Sequence, residues 1–149
     1  MVGHSLGNIS IIYYMLQNGK NKKMPQLQKE VNIAGLTFDG LTSIIKQPAG
    51  MKLDKNGKPN KMNATYKQMT QARTAYPKNQ VQVLNIIGDI GNNSDGRVEN
   101  VSSLSLKYLV ADCAKSYQVV KIKGKNAQHS KLHNNSQVDK VLIKFLWNK

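Results

Sequence analysis

Residues 81–87, Val-Gln-Val-Leu-Asn-Ile-Ile, form a near-continuous apolar run. A strand that is apolar on both faces belongs inside a parallel sheet covered by helices on either side. Two shorter apolar segments, Val31–Ala34 and Tyr117–Ile122, read as further strands. Helical spacing fills the intervals: Ile9, Ile12, Tyr13 and Leu16 in the first helix, then Tyr66, Met69 and Ala72 in a helix over 64–76. Residues 102–110 and an amphipathic stretch over 138–147 read as the later helices. Strands alternating with helices, joined by crossovers of a dozen or more residues, predict an α/β fold with three full parallel strands. The 149 residues fit one domain, 1–149. Asn18-Gly19 is expected to close the first helix with a left-handed cap, and Pro77 to end the second. The stretch from Gly35 to Pro77, rich in Gly, Pro, Asn and Lys, reads as a cap-like insertion.

Charge narrows the partners. Lys+Arg number 22 against 8 Asp+Glu, a net charge of +14. Arg73 and Arg97 are the only arginines, and the lysines are dispersed without interleaved aromatics. Readers of nucleic acid lean on arginine forks and stacking platforms, so no specific nucleic-acid partner is expected. A solvated basic surface that associates electrostatically with an anionic cell wall or membrane surface fits better. Cys113 is the sole cysteine, which excludes an internal disulfide and makes no zinc cluster expected. No apolar run approaches the roughly 18 residues of a membrane span. No basic stretch precedes an apolar one at the start, so these residues carry no expected export signal.

The chemistry begins at Gly3-His4-Ser5-Leu6-Gly7, followed at once by a helical pattern. Gly-x-Ser-x-Gly on a strand-to-helix turn is the nucleophile elbow. The serine projects from a strained turn, and glycine at both flanks is expected to relieve clashes with the neighbouring strand and helix. The helix N-terminus favours a developing oxyanion, with the Leu6 N–H as one donor. A serine that merely caps a helix between flexible glycines would give the same pentapeptide.

Two partners extend the pattern, because such a triad runs Ser, then Asp or Glu, then His. Asp95 follows the strongest strand, on a loop at the carboxyl edge where parallel sheets place their sites. An Asx turn with Gly96 is the other role open to it. Asp89, nearer the strand end, is the alternative acid. His129 lies between the last strand and the last helix, where a base can reach Ser5 with one ring nitrogen and the carboxylate with the other. His133, four residues on, is the alternative base. His4 is read as a support for the elbow.

Three segments carry a family resemblance: Val2-Gly3-His4-Ser5-Leu6-Gly7-Asn8, Ser94-Asp95-Gly96-Arg97-Val98, and 126–134 with the closing Phe145-Leu146-Trp147. Together they resemble the lipase-like α/β hydrolases found as cell-surface proteins of Gram-positive bacteria. The resemblance covers essentially the whole chain. It implies an α/β-hydrolase fold, a triad of Ser5, Asp95 and His129, and a variable cap over 35–77. It implies hydrolysis of a small-molecule or lipid ester without metal or cofactor, at the cell surface or outside the cell. A cytoplasmic location stays open on the residues alone. The family also has strands and an oxyanion loop ahead of the elbow. Only Met1-Val2 stands there in this chain, so it is expected to represent the part from the elbow onward, to need the missing N-terminal half as a partner, and to act weakly alone. The alternative from another class is a non-catalytic basic module that binds anionic wall polymers or nucleic acid.

Overall fold

The computed structural model describes residues 1–35 and 50–148. Its sheet has four strands in the order β1 (Val2–His4), β2 (Lys29–Ile33), β3 (Gln82–Asp89) and β4 (Ser116–Lys123). Every neighbouring pair is parallel, with Val2 opposite Val31, Val31 opposite Leu84, and Leu84 opposite Gln118. The expected parallel α/β architecture is therefore the one observed, and the short strand into Ser5 is a fourth member.

Burial on both faces explains the apolar run. Val83 points into one cluster with Ile11, Ile12, Met15, Tyr66, Met69, Tyr76 and Leu109, while Leu84 and Ile86 join Val31, Ile33, Leu132 and Val138 in the other. Helix α1 (Leu6–Asn18) and helix α6 (Ser136–Trp147) thus cover opposite faces. Helix α6 starts where the Asn135 side chain accepts from the Gln137 and Val138 N–H groups. At its other end the Lys29 ammonium donates to the carbonyls of Phe145 (2.8 Å) and Leu146 (3.0 Å), which ties the helix to β2.

Several boundaries differ from the sequence reading. The helix expected over 64–76 is two short helices, α2 (Ala64–Met69) and α3 (Ala72–Ala75). The helix expected over 102–110 is likewise split into α4 (Asn100–Leu104) and α5 (Leu106–Val110). The Tyr66 hydroxyl donates to the Ser105 carbonyl at the second break (2.9 Å), so a tertiary contact bridges the two split segments. Gly19 has φ −54 and is right-handed, not a left-handed cap. Its glycine is needed for space: a Cβ there would meet the carbonyl oxygens of Ala75 (2.5 Å) and Met15 (2.7 Å). The loop expected over 124–136 contains two 3-10 turns, Lys125–Ala127 and His129–Asn134. Part of the expected cap, 36–49, lies outside the described residues. Of the rest, Leu53 bridges Pro59, and α2 and α3 pack their Tyr66, Met69 and Ala72 into the core beneath the sheet.

Candidate active site

All the elements of interest meet at the carboxyl edge. Ser5 follows β1, Asp95 lies on the loop after β3, and His129 opens the second 3-10 turn after β4. Parallel strands direct their carboxyl ends to one side, so three segments far apart in sequence converge there.

Ser5 has φ 53 and ψ −122, a conformation that non-glycine residues seldom take. Such strain costs about 1–3 kcal/mol and persists only where surrounding bonds enforce it. Here the Ser5 N–H donates to the Ile33 carbonyl (3.0 Å), and the Ser5 carbonyl accepts from the Asn8 N–H (3.1 Å). The Asn8 amide donates to both the Ser5 carbonyl (2.8 Å) and the Ile33 carbonyl (3.0 Å). Gly3 lets α1 approach: a Cβ there would lie 2.8 Å from the Gly7 carbonyl carbon and 2.9 Å from the Asn8 nitrogen. Gly7 differs from the expectation, because a Cβ there meets nothing within 4 Å.

From Ser5 a chain of hydrogen bonds runs inward. The Ser5 hydroxyl lies 3.0 Å from His129 Nε2, and His129 Nδ1 lies 2.7 Å from Asp95 Oδ2. His129 is 7% exposed and Asp95 2%. Asp95 Oδ1 accepts from the N–H groups of Arg97 (2.9 Å) and Val98 (2.7 Å), so the expected local turn and the histidine contact coexist in one carboxylate. The Asp95 carbonyl also accepts from the His129 N–H at 2.8 Å. With Nδ1–H donating to Asp95, Nε2 is left as an acceptor for the serine proton. At the head of α1 the Leu6 N–H has no intrahelical carbonyl to meet, which leaves it available to an oxyanion.

The alternative residues stand elsewhere. Asp89 Oδ1 accepts from the N–H groups of Gly91 (2.9 Å) and Asn93 (3.0 Å), and Oδ2 is 3.4 Å from the Lys121 ammonium. Those bonds, the Gly91 one foremost, hold its pKa below the usual carboxylate value, and its role is to shape the loop start. His133 does not stand between Ser5 and Asp95: it is exposed, with its ring 5.3 Å from that of His4. His4 turns its Nε2 to the His129 carbonyl at 2.9 Å.

Sequence reasoning missed two residues. Asn8 had no visible signal, since an asparagine in a first helical turn is common. Gly88, read as the start of a polar loop over 88–96, in fact lies inside β3, where a glycine marks a close approach. A Cβ on Gly88 would collide with the Ala127 carbonyl oxygen and lie 2.9 Å from Asp95 Cβ and from Leu132 Cδ1. The loops bearing Asp95 and His129 can close over β3 only because that side chain is missing. Among the described residues no cluster of three or more His, Cys, Asp or Glu is arranged to hold a metal ion.

Comparison with known proteins agrees with this architecture. The family model "Alpha/beta hydrolase of unknown function (DUF915)" matches residues 1–149. A solved structure of the lin2722 gene product of Listeria innocua superposes with a TM-score of 0.78 at 24% identity, over 99% of this chain and 57% of that one. Another, described as "the putative cell surface hydrolase from Lactobacillus plantarum WCFS1", gives 0.72 at 21% identity, over 99% and 53%. The chain therefore spans little more than half the length of these solved structures. No curated protein matches it.

Proposed function

The chain belongs to this family of α/β hydrolases, and from that premise we propose that it is a serine hydrolase of carboxylic esters, with Ser5 as nucleophile, His129 as base and Asp95 as the acid that orients it. The observation that carries the reading is the unbroken line of hydrogen bonds from Ser5 through His129 to Asp95, 3.0 and 2.7 Å long. Ser5 Oγ attacks the ester carbonyl while its proton passes to His129 Nε2. The Leu6 N–H donates to the oxyanion. Collapse expels the alkoxide, which takes that proton and leaves as the alcohol. Water then attacks the acyl-enzyme, giving a proton to His129 Nε2. The carboxylic acid departs as the proton returns to Ser5 Oγ. None of these steps calls on a metal or cofactor.

A cell-surface location is part of the proposal, supported by the description of the Lactobacillus relative. No helix among the described residues is long and apolar enough to cross a membrane.

A fluorophosphonate probe tests the chemistry. Labelling of the unaltered chain that disappears in Ser5→Ala is the expected result, and a folded chain that takes no label would overturn the reading. The solved relatives are nearly twice as long, and an oxyanion hole uses two donors. Slow hydrolysis of p-nitrophenyl esters is therefore expected from this chain. Supplying the remaining part of such a domain, fused or as a separate polypeptide, should raise turnover by about 10²–10³, the worth of one oxyanion donor.

A second reading is favoured by a cleft of about 740 Å³ beside the His129 turn, lined by Lys123, Lys125, Lys131 and His133 among other polar side chains. Its three lysines, beside the single carboxylate of Asp139, suit an anionic polymer, with the fold serving as a binding module. Absence of labelling together with salt-sensitive retention of polyanions would favour it.

A further inference from the structure

His129 is held by partners on two different loops. Asp95 grips it twice, through Nδ1 (2.7 Å) and through its backbone N–H (2.8 Å), and so fixes it to the loop after β3. Among the described residues, Ser5 and His4 tie it to the elbow. The Ser5 tie is the weaker in function, because the reaction consumes it. Once Ser5 Oγ carries the acyl group it has no proton to give, and its bond to Nε2 is lost. Deacylation nevertheless needs the same imidazole over the same carbonyl, and misplacement by about 1 Å can cost about 10² in rate.

His4 is built to survive that step. It ends β1 opposite Ile33, directly before Ser5. Its Nε2 faces the His129 carbonyl at 2.9 Å, and a carbonyl can only accept, so Nε2 carries the proton. Its ring centroid is 5.0 Å from that of His129 and 5.3 Å from that of His133. Burial, with the two neighbouring imidazoles, lowers its pKa against the opposing pull of the His129 carbonyl and so disfavours an added charge beside the base. The bond joins residues 125 apart in sequence and uses no atom of the Ser5–His129–Asp95 line.

We propose that His4 is a positioning residue that holds His129 in register with the elbow while Ser5 is acylated. The sequence reads His4 as a support for the elbow, and its ring also reaches across to the base. The role in deacylation rests on the serine-hydrolase reading, whereas the tether itself can be measured without turnover.

Ser5→Ala removes the serine bond as acylation does. In that variant the downfield Nδ1–H resonance of His129 should persist, because His4 still holds the loop. In Ser5→Ala/His4→Leu it should exchange with solvent at least about tenfold faster, and Ser5→Ala/His4→Gln, whose amide Nε2 can donate to the same carbonyl, should restore it. Near-UV circular dichroism from the buried Tyr66 and Tyr76 checks that the variants are folded. Unchanged exchange in the leucine variant would overturn the tether, and so would failure of the glutamine to rescue a folded protein. With p-nitrophenyl acetate, His4→Leu alone should slow deacylation more than acylation, lowering kcat and KM together. Equal slowing of both steps would overturn the deacylation role. If the unaltered chain takes no acyl group at all, the hydrolase reading fails, and the exchange data still decide the tether.

Discussion

Ser5 has a crowded flank and an open one. Toward β3 and β4, its hydroxyl meets His129, His129 meets Asp95, and Gly88 has no room for a methyl group beneath their loops. Toward the outer edge of β1, Val2 is 51% exposed, Leu6 is 43% exposed and Gly7 has nothing near its missing side chain. The crowded flank holds the groups that would move protons in the proposed reaction. The open flank, where the Leu6 N–H emerges, would have to hold the carbonyl oxygen. On the proposed reading, the proton-transfer partners of Ser5 thus stand on its crowded flank and the Leu6 oxyanion donor on its open one.

Asp95→Asn should show the largest effect of the crowded flank. The amide can keep the turn bonds from Arg97 and Val98, yet its NH₂ would face His129 Nδ1 and favour the wrong tautomer. Fluorophosphonate labelling should slow by about 10⁴. Asp89→Asn, in the same loop but away from the histidine, should label nearly as the unaltered chain does. Equal losses in the two would mean that the carboxylates act only by shaping the loop.

Gly88→Ala tests the crowding itself. The colliding atom at Ala127 is backbone, so the turns after β4 must shift as a unit. A loss of about 1–3 kcal/mol in chemical denaturation is expected, together with slower labelling. A stable, fully reactive Gly88→Ala protein would show that this flank is looser than its contacts imply.

Much of this flank was legible because its signals are local. The apolar run of β3 announces a buried parallel strand, and the order of Ser5, Asp95 and His129 matches the order in which the strands reach the sheet edge. What was not legible depends on partners distant in the chain. No glycine or proline marks the breaks at Thr70-Gln71 and Ser105, which the Tyr66 hydroxyl links across 39 residues. Glu30 reads as a polar residue before a strand, yet it lies wholly buried within β2, with the Tyr76 hydroxyl donating to it across 46 residues at 2.8 Å. Asn8 pins the elbow through contacts that no spacing rule encodes.

Glu30 underlies the same half of the sheet and gives a smaller, pH-dependent test. Burial raises its pKa above that of an ordinary glutamate, against the opposing hydrogen bonds from Asn32 and Tyr76. The folded chain then retains a proton that the unfolded chain releases. Its contribution is full below the unfolded value and is lost as pH rises through the folded one. Glutamine does not titrate, and Asn32 Oδ1, which has no partner among the described residues, could accept from its amide after a flip. The stability of Glu30→Gln relative to the unaltered chain should therefore rise as pH increases above the ordinary glutamate value of about 4.3. A difference independent of pH would mean that Glu30 is solvated in solution.

The open flank predicts the smallest change, and one of opposite sign. Gly7 is the second residue of α1, and its φ is not positive, so alanine fits its backbone. Glycine there carries the entropy cost of ordering a flexible residue in a helix, about 0.5–1 kcal/mol relative to alanine. Gly3, four residues earlier, has the same side chain for a different reason, since α1 packs directly against it. Gly7→Ala should therefore stabilise the chain by up to about 1 kcal/mol, a rise of about 2–4 °C in Tm, with labelling of Ser5 retained. Gly3→Ala should destabilise it. If Gly7→Ala instead lowers Tm, a surface must already cover that flank in solution. A Tm that rises with protein concentration would identify that surface as a second copy of the chain.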